Sequence, residues 1–242
     1  MDTVMRTPKA MKLHPSRLFL LLFLILHVAM MPANPANEPN NHQELRLELV
    51  SWEQLQPKLP EVSELFLHVY KEYPYFFPGP ASEFLEMYEA LPATTIACIA
   101  LDGEALIGIA VGLCAQDAFI FYKNYLLHNE LYLETNKDLT KMFFVGDMII
   151  LSAYRNKGLG KKIYQLLEEE IKKHYSGMYL CTIQPSVDEH LKPANYLVAD
   201  IFWAKQGFIR VPGMYVNLRW QDLNDTKVSS HHMPFWIKED LV

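Results

Sequence analysis

One stretch of the chain constrains the fold more than any other. It begins with the apolar run FFVGDMIILS, continues with the basic, glycine-bearing segment AYRNKGLG, and ends in a sequence whose apolar residues recur every four positions. The apolar run predicts a buried strand, and the spacing of Leu159, Ile163, Leu167 and Ile171 predicts an amphipathic helix. The segment between them therefore joins a strand directly to the N-terminus of a helix.

This strand-to-helix turn has the chemistry of an anion site. Gly158 and Gly160 allow backbone conformations that other residues avoid, and they let a ligand approach the main chain. Unpaired amides at a helix N-terminus favour a negative charge, so we expect a phosphate or a pyrophosphate. A helix cap with a solvated basic face is the alternative. The basic side chains near the turn are Arg155, Lys157, Lys161 and Lys162.

The rest of the chain alternates strands and helices. Upstream, the sequence predicts a strand from Leu45, two helices, a hairpin at the turn dipeptide Asp102-Gly103, and a lid-like insertion with some helix over residues 115–142. Downstream, it predicts a strand at MYLCTI, a helix closed by Gly207, and two strands on either side of Pro212-Gly213, with MPFWIKEDL as an edge segment. This mixture predicts an α/β (α+β) sheet with helices packed on it.

Charge and cysteine spacing exclude some classes of function. The net charge of -6 argues against a general nucleic-acid binder, because phosphate contacts need a basic surface. The three cysteines are Cys98, Cys114 and Cys181, and their spacing matches neither a metal site nor a CxxC redox motif. We therefore expect no metal and interpret the cysteines as buried thiols.

The N-terminus resembles an export signal. A basic segment precedes an apolar stretch that begins at Leu18 and ends at Met31, and a linker rich in proline and asparagine follows. The stretch is shorter than the about 20 residues that span a bilayer. A signal peptide, a membrane tether and a misassigned start codon all stay open. We divide the chain into this segment, residues 1–41, and one folded domain, residues 42–242.

The strand, turn and helix closely resemble motif A of the GNAT superfamily of acetyl-CoA-dependent N-acetyltransferases. That motif is a strand, then [Arg/Gln]-x-x-Gly-x-[Gly/Ala], then a helix, and here it is carried by Arg155, Gly158 and Gly160. The resemblance extends from Leu45 to the C-terminal strands, since the element order also agrees. It implies a GNAT fold with a mixed, mostly antiparallel sheet of about six or seven strands. That sheet would be splayed between strands 4 and 5, with helices on both faces.

A second match lies downstream and departs from the family at one position. The residues that fit the family's helix–Gly–Phe pattern are Ala199, Phe202, Gly207 and Phe208. Trp203 stands where many family members carry a proton-donating tyrosine, and an indole cannot serve as that acid. Tyr196, in the slot of the family's asparagine, is a weak candidate acid. The departure keeps open an alternative class, a non-catalytic acyl-CoA-binding module with the GNAT fold.

The resemblance implies an N-acetyltransferase with acetyl-CoA as cosubstrate. An amine of a small molecule or a protein would attack the thioester directly. The turn would hold the pyrophosphate, while the preceding strand, often bulged, would pair with the pantetheine arm and offer an amide to the thioester carbonyl. The residues that the resemblance implies for cofactor binding are Ile149, Ile150, Leu151, Arg155, Asn156, Lys157, Gly158, Leu159, Gly160 and Lys161.

The resemblance also implies a base and an acceptor pocket. Asp147 is the candidate base, because several family members carry an acidic residue at this point of the strand. An equally weighted alternative is that Asp147 pairs with a cation or binds the amine. Glu130 and Glu134 are weaker candidates for the base. The aromatic run YKEYPYFFPGP suits the wall of a pocket for an apolar or cationic acceptor.

Location and assembly follow from the resemblance only in outline. Acetyl-CoA is a cytoplasmic metabolite, so we expect a cytoplasmic catalytic domain, with or without a membrane tether, and secretion is the alternative. Many relatives dimerise through C-terminal strands, so a homodimer through MYVNLRW stays open.

Overall fold

The structure is a computed structural model, and it describes residues 45–125, 130–132, 135–185, 192–193, 196, 198–223 and 225–241. The signal-like stretch and the predicted domain boundary after residue 41 lie outside these ranges. Within them, no helix is both long and apolar enough to cross a membrane.

Within the described ranges, eight strands form one sheet. They are β1 (Leu45–Ser51), β2 (Ile96–Asp102), β3 (Ala105–Cys114), β4 (Glu130–Tyr132), β5 (Met142–Ile150), β6 (Gly177–Cys181), β7 (Ile209–Gln221) and β8 (Val228–Lys238). Their spatial order is β1-β2-β3-β5-β6-β8-β7-β4. Every pairing is antiparallel except that of β5 with β6, which is parallel. The three-residue β4 adds an edge to the mostly antiparallel sheet that the family resemblance predicts.

Helices cover both faces of this sheet, as predicted. They are α1 (Trp52–Leu55), α2 (Leu59–Tyr70), α3 (Ala81–Glu89), α4 (Ala115–Tyr125), α5 (Leu159–Ile171) and α6 (Ala199–Lys205). One core lies under α2 and α3 and includes Phe66 and Phe84. A second core, on the opposite face, lies under α5 and α6 and includes Leu167 and Trp203. The prediction of the fold class is therefore confirmed.

The helix after the basic turn is amphipathic in the way the sequence predicts. Leu159, Ile163, Leu167 and Ile171 are all buried, so the four-residue spacing turns one stripe toward the second core. Charged residues occupy much of the opposite side. The helix is thus anchored by its apolar stripe, and its N-terminus is held at the end of β5.

The prediction for the C-terminal strands was wrong in two respects. Pro212 and Gly213 do not close a hairpin; β7 runs through them, and its register with β8 shifts between Arg210 and Tyr215. The chain reverses later, and the residues MPFWIK of that segment belong to β8, which lies between β6 and β7 rather than at an edge. Both errors have one cause, because a Pro-Gly pair that is accommodated as a strand irregularity looks like a turn in sequence.

The close packing around β6 requires a glycine. A Cβ atom at Gly177 would lie 2.6 Å from Met142 Cε and 2.8 Å from the carbonyl oxygen of Lys238. Residue 177 pairs with Met142 of β5, and the neighbouring Met178 pairs with Lys238 of β8. The glycine therefore lets three strands meet at the base of the sheet.

We expect Ile163→Ala to lower the free energy of unfolding by about 2–5 kcal/mol, because the side chain is fully buried and its removal leaves a cavity. Ile201→Ala is the matched control, since Ile201 is 50% exposed on α6 and its loss should cost less than about 0.5 kcal/mol. Urea denaturation followed by circular dichroism measures both. Equal losses for the two variants would contradict the placement of the apolar stripe.

Candidate active site

The central strands separate where the candidate site lies. β5 and β6 pair only at their beginnings, where Met142, Phe143 and Phe144 lie opposite Gly177, Met178 and Tyr179. Beyond this point β5 continues along β3, while β6 continues along β8. The sheet is therefore open between the second half of β5 and the end of β6.

A bulge in β5 accompanies this separation. Val111 of β3 lies opposite Asp147, and the next residue, Gly112, lies opposite Val145, so Gly146 is the extra residue. An extra residue bends a strand and increases its twist. The family resemblance predicts a bulge at this place, and it turns β5 away from β6 just before the predicted cofactor-binding segment.

The backbone of β5 offers hydrogen-bonding groups to the open gap. The amide of Leu151 donates to the carbonyl oxygen of Ile107 on β3, at 2.9 Å. Because successive residues of a strand alternate in direction, Ile149 also turns its backbone groups to β3, whereas Met148 and Ile150 turn theirs to the gap. Among the predicted Ile149, Ile150 and Leu151, only Ile150 therefore presents its backbone there. The backbone of Met148 also faces the gap. The sequence alone does not show this, because it depends on the register of β5 with β3.

The loop after β5 holds a run of amides without partners. Asn156 and Gly158 both have positive φ, 61° and 80°, and α5 begins at Leu159. The amide of Lys162 is the first to bond back, to the carbonyl oxygen of Gly158 at 3.2 Å. The described residues supply no acceptor to the amides of residues 156–161. Lys157 and Lys161 are exposed beside them, so this loop has both the donors and the charge of an anion site.

Arg155 lies inside the protein rather than beside these amides. Its Nε donates to the carbonyl oxygen of Ile150 at 2.6 Å, and its Nη1 donates to Glu72 Oε2 at 2.5 Å. Its backbone amide donates to the carbonyl oxygen of Ser152. Burial lowers the pKa of Arg155, and the charge of Glu72 opposes that shift. The guanidinium therefore joins the end of β5 to the end of α2, which the loop motif alone does not indicate.

Asp147 is fully buried and accepts two hydrogen bonds from tyrosines. Tyr70 of α2 donates to its Oδ1 at 2.5 Å, and Tyr88 of α3 donates to its Oδ2 at 2.6 Å. Both donors come from the helices that cover the first core. A buried carboxylate needs such donors, because water no longer solvates it. The carboxylate of the predicted base is therefore hydrogen-bonded to two phenols. The sequence alone indicates neither of these contacts.

Two further groups lie within range of the Asp147 charge. Burial raises the pKa of the Cys181 thiol, and the negative charge of Asp147 raises it further. The same two causes raise the pKa of Tyr75, with contributions from Tyr196 and Cys181. Cys181 is the last residue of β6. The β6 side of the gap therefore lies next to Asp147 and its two donors, Tyr70 and Tyr88, which we call the Asp147 cluster.

Tyr196 and Trp203 occupy different surroundings. The ring of Tyr196 meets Tyr73 edge-on, with ring centroids 4.7 Å apart, and its burial raises its pKa. Trp203 is fully buried in the second core, where its ring contacts Tyr164, Phe202 and Phe208. The indole at the family's tyrosine position is thus packed as a core residue.

The aromatic run after α2 is largely buried and tied to the β7–β8 hairpin. The indole Nε1 of Trp220 donates to the carbonyl oxygen of Tyr75 at 2.9 Å, and the amide of Leu223 donates to the carbonyl oxygen of Phe76 at 2.5 Å. The hairpin tip therefore holds this wall in place. The other weak candidates, the side chains of Glu130 and Glu134, lie outside the described residues.

The chain matches the sequence profile of the Acetyltransferase (GNAT) family over residues 62–192, which is more than half of its length. It belongs to this family. The matched segment includes the β5 strand, the amide loop and α5. No curated protein sequence matches the chain significantly.

Solved structures share the GNAT fold with this chain at low identity. NAA60 of Arabidopsis thaliana in complex with acetyl-CoA is 12% identical over 81% of this chain and 98% of that one, with a TM-score of 0.50. An acetyltransferase from Thermus thermophilus is 12% identical over 82% and 99%, also at 0.50. The protein smu.2055 from Streptococcus mutans is 15% identical over 81% and 99%, again at 0.50.

We expect Tyr88→Phe to lower the free energy of unfolding by about 1–3 kcal/mol, because it leaves one oxygen of the buried Asp147 carboxylate without this donor. Tyr154→Phe is the matched control, since Tyr154 donates to Asp102 Oδ2 at 2.6 Å in a partly exposed pair. Water can replace that phenol, so the loss should be smaller. Chemical denaturation of the two variants makes the comparison, and a loss at Tyr154 as large as that at Tyr88 would contradict the prediction.

Proposed function

We propose that the protein is an N-acetyltransferase that moves an acetyl group from acetyl-CoA to a primary amine of a small molecule or a protein. The observation that carries the proposal is the run of amides at residues 156–161, which has no acceptor among the described residues and opens beside the free edge of β5. A pyrophosphate suits those amides, and a pantetheine amide suits an unpaired strand edge. Acetyl-CoA carries both groups.

The residues present fit this cosubstrate. The amides of Asn156 to Lys161 would hold the pyrophosphate, and Lys157 and Lys161 would add positive charge. The backbone groups of Met148 and Ile150 face the gap, although the Ile150 carbonyl already accepts from Arg155. Bound there, acetyl-CoA supplies an activated acetyl group as a thioester. In this scheme the predicted Ile149 and Leu151 support the strand through β3, and Arg155 supports it from within.

Proton transfer would use the Asp147 cluster. Most amines are protonated at neutral pH, so the nitrogen must lose a proton before or during its attack on the carbonyl carbon. The hydroxyl of Tyr70 or Tyr88 accepts that proton and passes its own to Asp147. A carbon–nitrogen bond forms, the carbon–sulfur bond breaks with its electron pair on sulfur, and the sulfur takes the proton of Tyr196.

The surroundings favour a cationic or apolar acceptor. The buried Asp147 and the partly buried Glu72 contribute two carboxylates, and the buried Arg155 contributes one cation. Aromatic rings such as those of Tyr73 and Tyr75 can pack against an alkyl chain or an ammonium group. A primary amine on an apolar stem has the matching chemistry.

Cosubstrate binding is tested by calorimetric titration of the full chain with acetyl-CoA. We expect Gly158→Trp to weaken binding about tenfold or more, because a bulky side chain at positive φ would distort the amide loop. Gly213→Trp is the matched control: its φ is 74°, and, as at Gly158, an added Cβ would meet nothing within 4 Å. Absence of binding to the folded wild-type protein would contradict the proposal, as would equal weakening by the two variants.

Turnover is tested by release of the CoA thiol in the presence of a panel of primary amines. We expect Asp147→Asn to lower kcat by on the order of 100-fold, since it removes the final proton acceptor. Asp102→Asn is the control, because Asp102 accepts from a tyrosine outside the gap. Resistance of the acetylated product to hydroxylamine would identify an amide rather than an ester. Binding of acetyl-CoA without turnover of any amine would instead favour the non-catalytic module.

A further inference from the structure

Arg155 retains one buried donor that the described residues do not satisfy. Its side chain is 1% exposed, and while Nε and Nη1 have acceptors, Nη2 has none within hydrogen-bond distance among the described residues. An unsatisfied buried donor costs free energy, and the cost is larger on a charged group. Nη2 is therefore suited to an acceptor that becomes negative during the reaction.

Two consecutive residues contact Arg155 and Tyr196, one residue each. Glu72 accepts from Arg155 Nη1 at 2.5 Å. Its neighbour Tyr73 meets the ring of Tyr196 edge-on, with centroids 4.7 Å apart. The segment after α2 thus contacts the guanidinium with one residue and the phenol with the next. Its position is set by Tyr75, whose carbonyl accepts from Trp220.

Several ionisable groups lie within electrostatic range of Tyr196. They are Tyr73, Tyr75, Arg155 and Asp200. Arg155 is the cation among them, so it favours the phenolate, whereas the acidic groups and burial disfavour it. Burial and these groups together raise the pKa of Tyr196, and Arg155 opposes the rise.

We propose that Arg155 is a positioning residue for Tyr196. The positive charge of its guanidinium stabilises the negative charge that forms on the Tyr196 oxygen as the Tyr196 proton moves to the leaving sulfur. The inference rests on the proposed function, because it names the group that supports the acid in that reaction. The electron pair of the broken carbon–sulfur bond stays on sulfur, and the Tyr196 proton joins it. The phenolate that remains is neutralised when a proton returns from solvent.

This role accounts for two features in which the chain departs from what the family resemblance predicts. Trp203 is packed in the second core, so the proton donor has to come from another element. Arg155 occupies the motif position, yet its side chain turns inward to Glu72 and Ile150 instead of toward the amide loop. Tyr196 and Arg155 together would supply an acid and the charge that stabilises its conjugate base.

The test replaces Tyr196 with 2,3,5,6-tetrafluorotyrosine in the full chain and follows its ¹⁹F signals during a pH titration. Four ring fluorines lower the intrinsic pKa of the phenol far more than one does, and they bring the midpoint into a measurable range. We expect Arg155→Met to raise the midpoint by on the order of 1 pH unit, because the nearby cation is lost. We expect Glu72→Gln to lower it by a similar amount, because the guanidinium is no longer neutralised.

The opposite signs separate this role from a structural one. Loosening of the segment would expose Tyr196 to water, and both variants would then move the midpoint down. Arg46→Met and Glu104→Gln form the control pair, since they belong to an exposed ion pair of 3.2 Å and should leave the midpoint unchanged. A lower or unchanged midpoint in Arg155→Met would overturn the inference. If Arg155→Met does not fold, the test rests on Glu72→Gln, and an unchanged or raised midpoint in that variant would overturn the inference.

Failure of this inference differs from failure of the proposed function. If the folded protein binds no acetyl-CoA, the proposed function is lost whatever the titrations show. If binding and turnover are present but the two midpoints fail to move in opposite directions, only the role of Arg155 is lost. Tyr196→Phe connects the proposed function with this inference. We expect this variant to have a lower kcat and an unchanged affinity for acetyl-CoA.

Discussion

The early end of the parallel pairing between β5 and β6 is the constraint on which the candidate site depends. Three residue pairs hold the two strands together, and then the bulge at Gly146 turns β5 away. The opening turns the backbone groups of Met148 and Ile150 toward the gap on one side, where the Ile150 carbonyl accepts from Arg155, and places Cys181 on the other. The amide loop follows directly from the end of β5. A fully paired sheet would have neither the gap nor the free strand edge beside the loop.

Charge burial then organises the interior of the gap. Asp147 and Arg155 lie on the same segment of chain, and each is held by residues of α2 or the turn after it, through Tyr70 and Glu72. The helices on the first face thus supply hydrogen-bond partners for charges carried by the central strand. This arrangement ties the shape of the acceptor side to the strand that would bind the cosubstrate.

Local signals in the sequence predicted much of this architecture. The four-residue spacing in α5, the Asp102-Gly103 turn and the strand before the basic loop each follow from a periodicity or a turn dipeptide, which act over a few residues. The order of elements then supported the family resemblance and, with it, the splayed sheet.

What could not be predicted depends on contacts between distant segments. Which of Met148, Ile149 and Ile150 faces the gap is set by the register with β3, and a shift of one residue would exchange them. The burial of Arg155 depends on Glu72, and the phenols around Asp147 come from two helices far upstream. The central place of β8 was hidden because a Pro-Gly pair inside β7 resembles a turn. Each of these facts belongs to pairings that no local pattern encodes.

The place of β8 has a consequence for how the chain acquires its structure. β6 lies between β5, which precedes it, and β8, whose residues are made about sixty positions later and pair with it from Met178 to Cys181. During synthesis, one edge of β6 therefore stays unpaired until β8 has left the ribosome. Pairings of such long sequence separation form slowly, because the intervening loop must close first. The nascent protein would thus complete the far wall of its gap last.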